Sequence, residues 1–95
     1  TQIEEVLLKI NEIGPHYEIL VERKNRLDVM TITVELVDDR LLDSYAQLSE
    51  LELRIKKALK AQLGLATQIR LVAPNSLKRF EGKAKRVTDL RKDGL

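Results

Sequence analysis

His16–Leu36 reads HYEILVERKNRLDVMTITVEL, two apolar alternations on either side of a polar break. Tyr17, Ile19 and Val21 fall at every second position before the break, and Met30, Ile32, Val34 and Leu36 do so after it. A period of two puts one set of side chains on one face of a strand, so the pattern predicts strands over His16–Arg23 and Asp28–Leu36, turned at Lys24, Asn25 and Arg26 into a hairpin. Leu20 and Val29 break the one-sidedness, which makes the N-terminal helix the candidate cover for the second sheet face.

Upstream, Thr1 and Glu4 have capping-box spacing, and Ile3, Val6, Leu7 and Ile10 recur at helical intervals, which predicts a helix from Thr1 to about Ile13 ended by Gly14 and Pro15. A chain that opens on a helix cap reads as a piece of something longer. Downstream, Asp38–Asp43 is a polar connection with Leu41 and Leu42 as packing anchors. Leu48, Leu51, Ile55, Leu59 and Leu63 then follow helical spacing, and Glu50/Arg54 and Glu52/Lys56 sit four apart in the favourable acid-first order. The longest helix is therefore expected over Ser44–Leu63, stopped by Gly64. Thr67–Val72 alternates again with Ile69 and Leu71 inward, and Pro74 closes it because proline has no N–H for a continuing ladder. The expected fold is α+β in two layers: helix, strand, strand, helix, strand, with a three-stranded, mainly antiparallel sheet packed by two helices and followed by a basic C-terminal loop or short strand.

Ninety-five residues make one domain with one modest core, burying roughly 60% of the unfolded surface or a little more. The chain has no cysteine and a single histidine, His16, which rules out a disulfide frame, a thiolate nucleophile and a histidine-rich metal cluster. No apolar run approaches the ~20 residues of a membrane span, and the start lacks the basic-then-apolar order of a signal peptide, so a soluble, cytoplasmic protein without membrane partners is expected. Net charge is +2 but unevenly distributed. Lys78–Asp93 holds seven basic and three acidic residues, +4 net, leaving −2 for the remainder. Such segregation favours an anionic partner: a nucleotide phosphate, a coenzyme phosphate or a nucleic acid.

Catalytic chemistry is scarce outside that segment. His16 has no Ser or Cys nucleophile near it in sequence and reads as structural, while Ser44, Ser49 and Ser76 sit where hydroxyls cap or turn the backbone. The segment itself reads NSLKRFEGKAKRVTDLR over Asn75–Arg91. No glycine lies five residues before Gly82, so this is no P-loop. Gly82 permits close backbone approach beside Lys83, which leaves a tethered ammonium suited to stabilising charge on a carboxylate and an α-phosphate as they join.

TQIEEVLLKI at the start, PHYEILVERKNRLD in the hairpin, KKALKAQLGLATQIRLVAPNSL through the long helix and third strand, and EGKAKRVTDLR at the end occur in that order. Together they resemble the C-terminal domain of phenylacetate-coenzyme A ligases, within the acyl-adenylate-forming enzymes, over nearly the whole chain. The resemblance implies that residues 1–95 are the C-terminal lid of an AMP-forming acid–thiol ligase whose N-terminal ATP- and acid-binding domain is absent here. It places Lys83 as the adenylation lysine. Gly82, Arg79 and Arg86 become candidates for the nucleotide- and substrate-binding loop, the two guanidinium forks being suited to oxyanions. The substrates implied are an aryl acid, ATP and coenzyme A, with Mg2+ accompanying ATP and bound mainly by the other domain. The lid would reorient between adenylation and thioester formation. Lys78 and Phe80 depart from the proline and serine that flank the corresponding arginine in the family. The alternative is a non-enzymatic, ferredoxin-like regulatory or nucleic-acid-binding module using the basic segment. Its nucleic-acid form has little support, because Tyr17, Tyr45 and Phe80 are the only aromatic residues available for stacking on bases.

Overall fold

A computed structural model describes residues 2–77 and 87–91 of the chain. Helix α1 spans Gln2–Leu8, β1 Ile13–Lys24, β2 Leu27–Leu36, α2 Tyr45–Leu63, β3 Gln68–Val72 and β4 Val87–Asp89, with a short 3₁₀ turn at Asp39–Asp43. The central hairpin matches its sequence pattern. Lys24 pairs with Leu27 across a two-residue loop in which Asn25 and Arg26 both take positive φ, 51° and 68°. Two positive angles in succession match the twist of the flanking strands, which is why this tight connection closes the hairpin.

The sheet corrects the expected topology. Among the described residues it has four strands in the order β3-β2-β1-β4, of which β1 and β2 pair antiparallel. Strand β3 runs parallel to β2, and β4 runs parallel to β1. The cause is connectivity. Helix α2 carries the chain back along the sheet between β2 and β3, and a strand that returns by a helical crossover lies parallel to the one it left. Strand β4 then fills the free side of β1.

A second correction concerns the first helix. It stops at Leu8, and Ile13, Gly14 and Pro15 belong to β1. Ile13 pairs with Leu36, and the Val37 N–H donates to the Glu12 carbonyl at 3.0 Å, so strand pairing takes over a residue whose apolar side chain suits either element. The register slips between Ile13 and Tyr17, and Pro15, which has no N–H to offer, falls in that irregular stretch. Thr1, the expected cap, lies outside the described residues. Nor does α1 cover the second sheet face. Val6 and Leu7 join the same core as Ile13, Tyr17, Ile19, Ile32, Val34, Leu36, Leu51, Ile55, Leu59 and Ile69, so both helices share one side.

Helix α2 follows its sequence signals closely. The Ser44 hydroxyl accepts from the Gln47 N–H at 3.3 Å as N-cap, and Gly64 ends the helix in the left-handed conformation at φ 68°. Leu51, Ile55 and Leu59 form the buried stripe. Leu41 packs against the core margin, whereas Leu42 stays exposed. Arg54, four residues beyond Glu50, gives its salt bridge instead to Glu12 of the α1–β1 connection.

Candidate functional site

Lys83, Gly82, Arg79 and Arg86, to which the sequence assigns chemistry, lie outside the described residues, as do Lys78 and Phe80. The structure describes the frame on either side of them.

On the entry side, β3 ends at Val72 and the chain turns through Ala73–Ser76. The Ser76 N–H donates to the Ala73 carbonyl at 3.2 Å, and Asn75 holds φ at 64°. Proline second and a positive φ third are the marks of a type II turn, and asparagine tolerates that angle better than most residues. This turn meets Glu35. Val34 and Leu36 point into the core, so alternation sends the Glu35 side chain to the opposite face, yet it is only 4% exposed. Its carboxylate accepts the Asn75 N–H at Oε1 (3.1 Å) and the Leu77 N–H at Oε2 (2.8 Å). A carboxylate buried this deeply must be satisfied by donors, and here backbone amides from 40 and 42 residues away supply them.

On the exit side, Val87, Thr88 and Asp89 pair with Ile19, Leu20 and Val21, and the Leu90 N–H donates to the Val21 carbonyl at 2.7 Å. Arg91 then closes a charge cluster. Its guanidinium grips Asp89 at both carboxylate oxygens (Nε–Oδ1 2.9 Å, Nη2–Oδ2 2.6 Å) and reaches Asp28 Oδ2 through Nη1 at 2.9 Å. Arg23 Nε donates to the other Asp28 oxygen at 3.1 Å. The Arg91 hydrogen bonds pull the Asp89 carboxyl down from 3.8 to about 2, and those of Arg23 and Arg91 lower Asp28. Both acids are thereby held as anions under all ordinary conditions. They act as fixed braces, with no part in proton transfer.

Elsewhere, Glu12, Leu41, Gln47, Glu50, Leu51 and Arg54 line an open cleft of about 260 Å³. Its Arg54 hydrogen-bonds Glu12 and lowers that carboxyl's pKa, so this pair is held as a structural ion pair. His16 lies in the irregular part of β1, partly exposed, and Ser44 is occupied as a helix cap, consistent with structural roles for both. No three His, Asp or Glu side chains come together as a metal site among the described residues. Neither Glu35 nor the Asp28–Arg91 pair stands out in the sequence. Glu35 sits in an ordinary in-out alternation, and the amides of Asn75 and Leu77 that it meets lie on a turn remote in sequence.

The family of AMP-binding enzyme C-terminal domains matches residues 1–91, and the chain belongs to it. It is 34% identical over 91 residues to phenylacetate-coenzyme A ligase of Escherichia coli, covering 96% of this chain and 21% of that protein. The chain thus spans about one fifth of the length of this curated relative. Among solved structures, a domain of phenylacetate-coenzyme A ligase from Bacteroides vulgatus superposes with a TM-score of 0.83 at 36% identity, covering 97% of this chain and 83% of that one. A 2-hydroxyisobutyryl-CoA ligase in complex with 2-HIB-AMP and CoA in the thioesterification state also superposes with a TM-score of 0.83, at 28% identity over 95% of this chain and 19% of that one. The same ligase in the postadenylation state gives 0.77 at 27% identity, covering 93% of this chain and 19% of that one.

Proposed function

We propose that the chain is the C-terminal lid of an ATP-dependent aryl-acid coenzyme A ligase acting on phenylacetate or a close relative, and that Lys83 serves its adenylation step. The observation that carries this reading is the 34% identity to a phenylacetate-coenzyme A ligase along 96% of the chain, taken with the EGKAKRV run at residues 81–87. The family assignment also favours it over a regulatory or nucleic-acid-binding module.

In the first half-reaction the acid's carboxylate attacks the α-phosphorus of ATP. A P–O bond forms, the bond from the α-phosphorus to the bridging oxygen breaks, and pyrophosphate leaves with that electron pair. Negative charge crowds between the reactants, and the Lys83 ammonium neutralises it while holding the anions in line. Arg79 and Arg86 hold phosphate oxygens or the neighbouring domain through their guanidinium forks, and Gly82 allows the backbone to approach. Mg2+ travels with the ATP phosphates and is bound mainly by the other domain. In the second half-reaction the coenzyme A thiol attacks the acyl carbon and AMP departs, with the lid turned to present another face. Capture of a 28%-identical ligase in its thioesterification state, and of the same ligase after adenylation, supports a two-position lid here. The cytoplasm, where ATP and coenzyme A are available, is the proposed location.

The test is Lys83→Ala in the full-length ligase. Adenylate formation, followed by pyrophosphate release, should fall by roughly two to three orders of magnitude, the size of effect seen when one electrostatic donor is removed from an active site. Thioester formation from pre-made acyl adenylate should persist. Equal losses in both half-reactions would refute the assigned role.

A further inference from the structure

We propose that the cleft lined by Glu12, Leu41, Gln47, Glu50, Leu51 and Arg54 is a docking site for an arginine side chain, presented by a basic segment of a partner protein. The cleft has an apolar base and a polar rim: Leu51 is buried and Leu41 half-buried, whereas Gln47, Glu50 and Arg54 are exposed. Its volume of about 260 Å³ falls below the roughly 300–1,000 Å³ of pockets that enclose a small-molecule ligand. One inserted side chain suits that space better than a whole metabolite.

Glu50 sets the sign of the guest. Its expected helical partner, Arg54 four residues on, is drawn away to Glu12, and no hydrogen bond or ion pair reaches Glu50 among the described residues. The three charges at the cleft therefore leave one negative charge uncompensated. The surroundings have the same sign. Residues 38–54 hold five acids (Asp38, Asp39, Asp43, Glu50 and Glu52) against two arginines, −3 net within a chain of +2, and Arg40 is itself tied to Asp38. Such a field draws in a cationic segment and repels phosphate-rich partners.

The lining favours arginine in particular. The Glu50 carboxylate and the Gln47 amide oxygen are acceptors for a planar, forked donor, while the aliphatic stem lies against Leu41 and Leu51. A lysine brings only a point charge. The surface around the cleft also carries exposed apolar groups, Leu42 at 40% and Tyr45 at 85% exposure. Tyrosine and arginine are the residue types that anchor protein interfaces, and a tyrosine ring accepts a guanidinium on its face, so a protein segment covers this surface more fully than an isolated small cation would.

The test is an amide-resolved NMR titration of the 95-residue chain with N-acetyl-arginine amide. The Leu41, Gln47 and Leu51 amides should shift together and saturate at roughly millimolar probe, the affinity reached by so small a ligand. N-acetyl-citrulline amide, of the same shape without the charge, should bind several-fold more weakly. Glu50→Gln is a surface change that spares the core, and it should weaken arginine binding roughly two- to fivefold, the worth of one exposed ion pair, and remove most of the preference over citrulline. Absence of a saturating shift at these amides, an equal response to citrulline, or arginine binding unchanged in Glu50→Gln would each overturn the proposal. Shifts at the same amides on concentrating the chain without probe would assign the cleft to a second copy of the chain, and would overturn it as well.

Discussion

Arg91 Nη1 lies 2.9 Å from Asp28 Oδ2, joining the chain just past β4 to the turn end of the β1/β2 hairpin across 63 residues of sequence. Asp28 also takes Arg23 at 3.1 Å, so one carboxylate bridges two guanidinium groups. All of these side chains are solvent-accessible, and exposed ion pairs add little to global stability. The cluster's effect is local. Asp28→Asn should leave the melting temperature of this 95-residue chain nearly unchanged while speeding amide hydrogen exchange at Thr88 and Leu90 several-fold, because a three-residue strand opens by itself when its brace is weakened. Unaltered exchange at those amides would show that the brace is idle.

The same cluster makes a prediction about acid. Asp89 has its carboxyl lowered from 3.8 to about 2 by Arg91, and a group with a depressed folded pKa adds stability above its unfolded value and loses it as pH falls through the folded one. Attachment of β4 should therefore be constant from neutral pH down to about 4, then weaken between about 4 and 2. A carboxyl carbon titration by NMR should give Asp89 a midpoint near 2. A midpoint at 3.8 would mean that the Arg91 contact is not maintained in solution.

Arg26 offers a route to a more stable chain. It holds φ at 68° in the second position of a hairpin turn whose first position, Asn25, is already well suited. A side chain costs roughly 1–2 kcal/mol in that conformation, whereas glycine pays nothing folded but loses more entropy from the unfolded chain. Arg26→Gly should stabilise the fold by about 0.5–1 kcal/mol net, read as a higher urea midpoint at unchanged slope. A lower midpoint would mean that the arginine side chain makes contacts worth more than the strain.

Local periodicity in the sequence carries the hairpin and α2 almost to the residue. Ser44 caps and Gly64 stops α2, as their residue types predict, and the stripe Leu51, Ile55, Leu59 is the buried one. Periodicity fails at Ile10–Pro15, where a helical rhythm runs on past Leu8 although strand pairing to Leu36 claims Ile13. It is silent on Val87–Asp89, three exposed residues paired with β1, in which a single valine makes no alternation to read. Strand direction was equally illegible, because parallel and antiparallel neighbours present the same alternation and only the helical crossover distinguishes them. In the candidate site, Lys83 and Gly82 stand out by chemistry and family resemblance. Glu35 does not, since its environment is built by residues some 40 positions away.

Strand β4 has a consequence for manufacture in the cell. Until residues 87–89 emerge and settle beside Ile19–Val21, the outer rim of β1 displays unpaired amides and carbonyls, a template on which another polypeptide can add itself. Products that stop short of Val87 carry that open rim permanently and should accumulate as insoluble material, whereas the completed chain shields it.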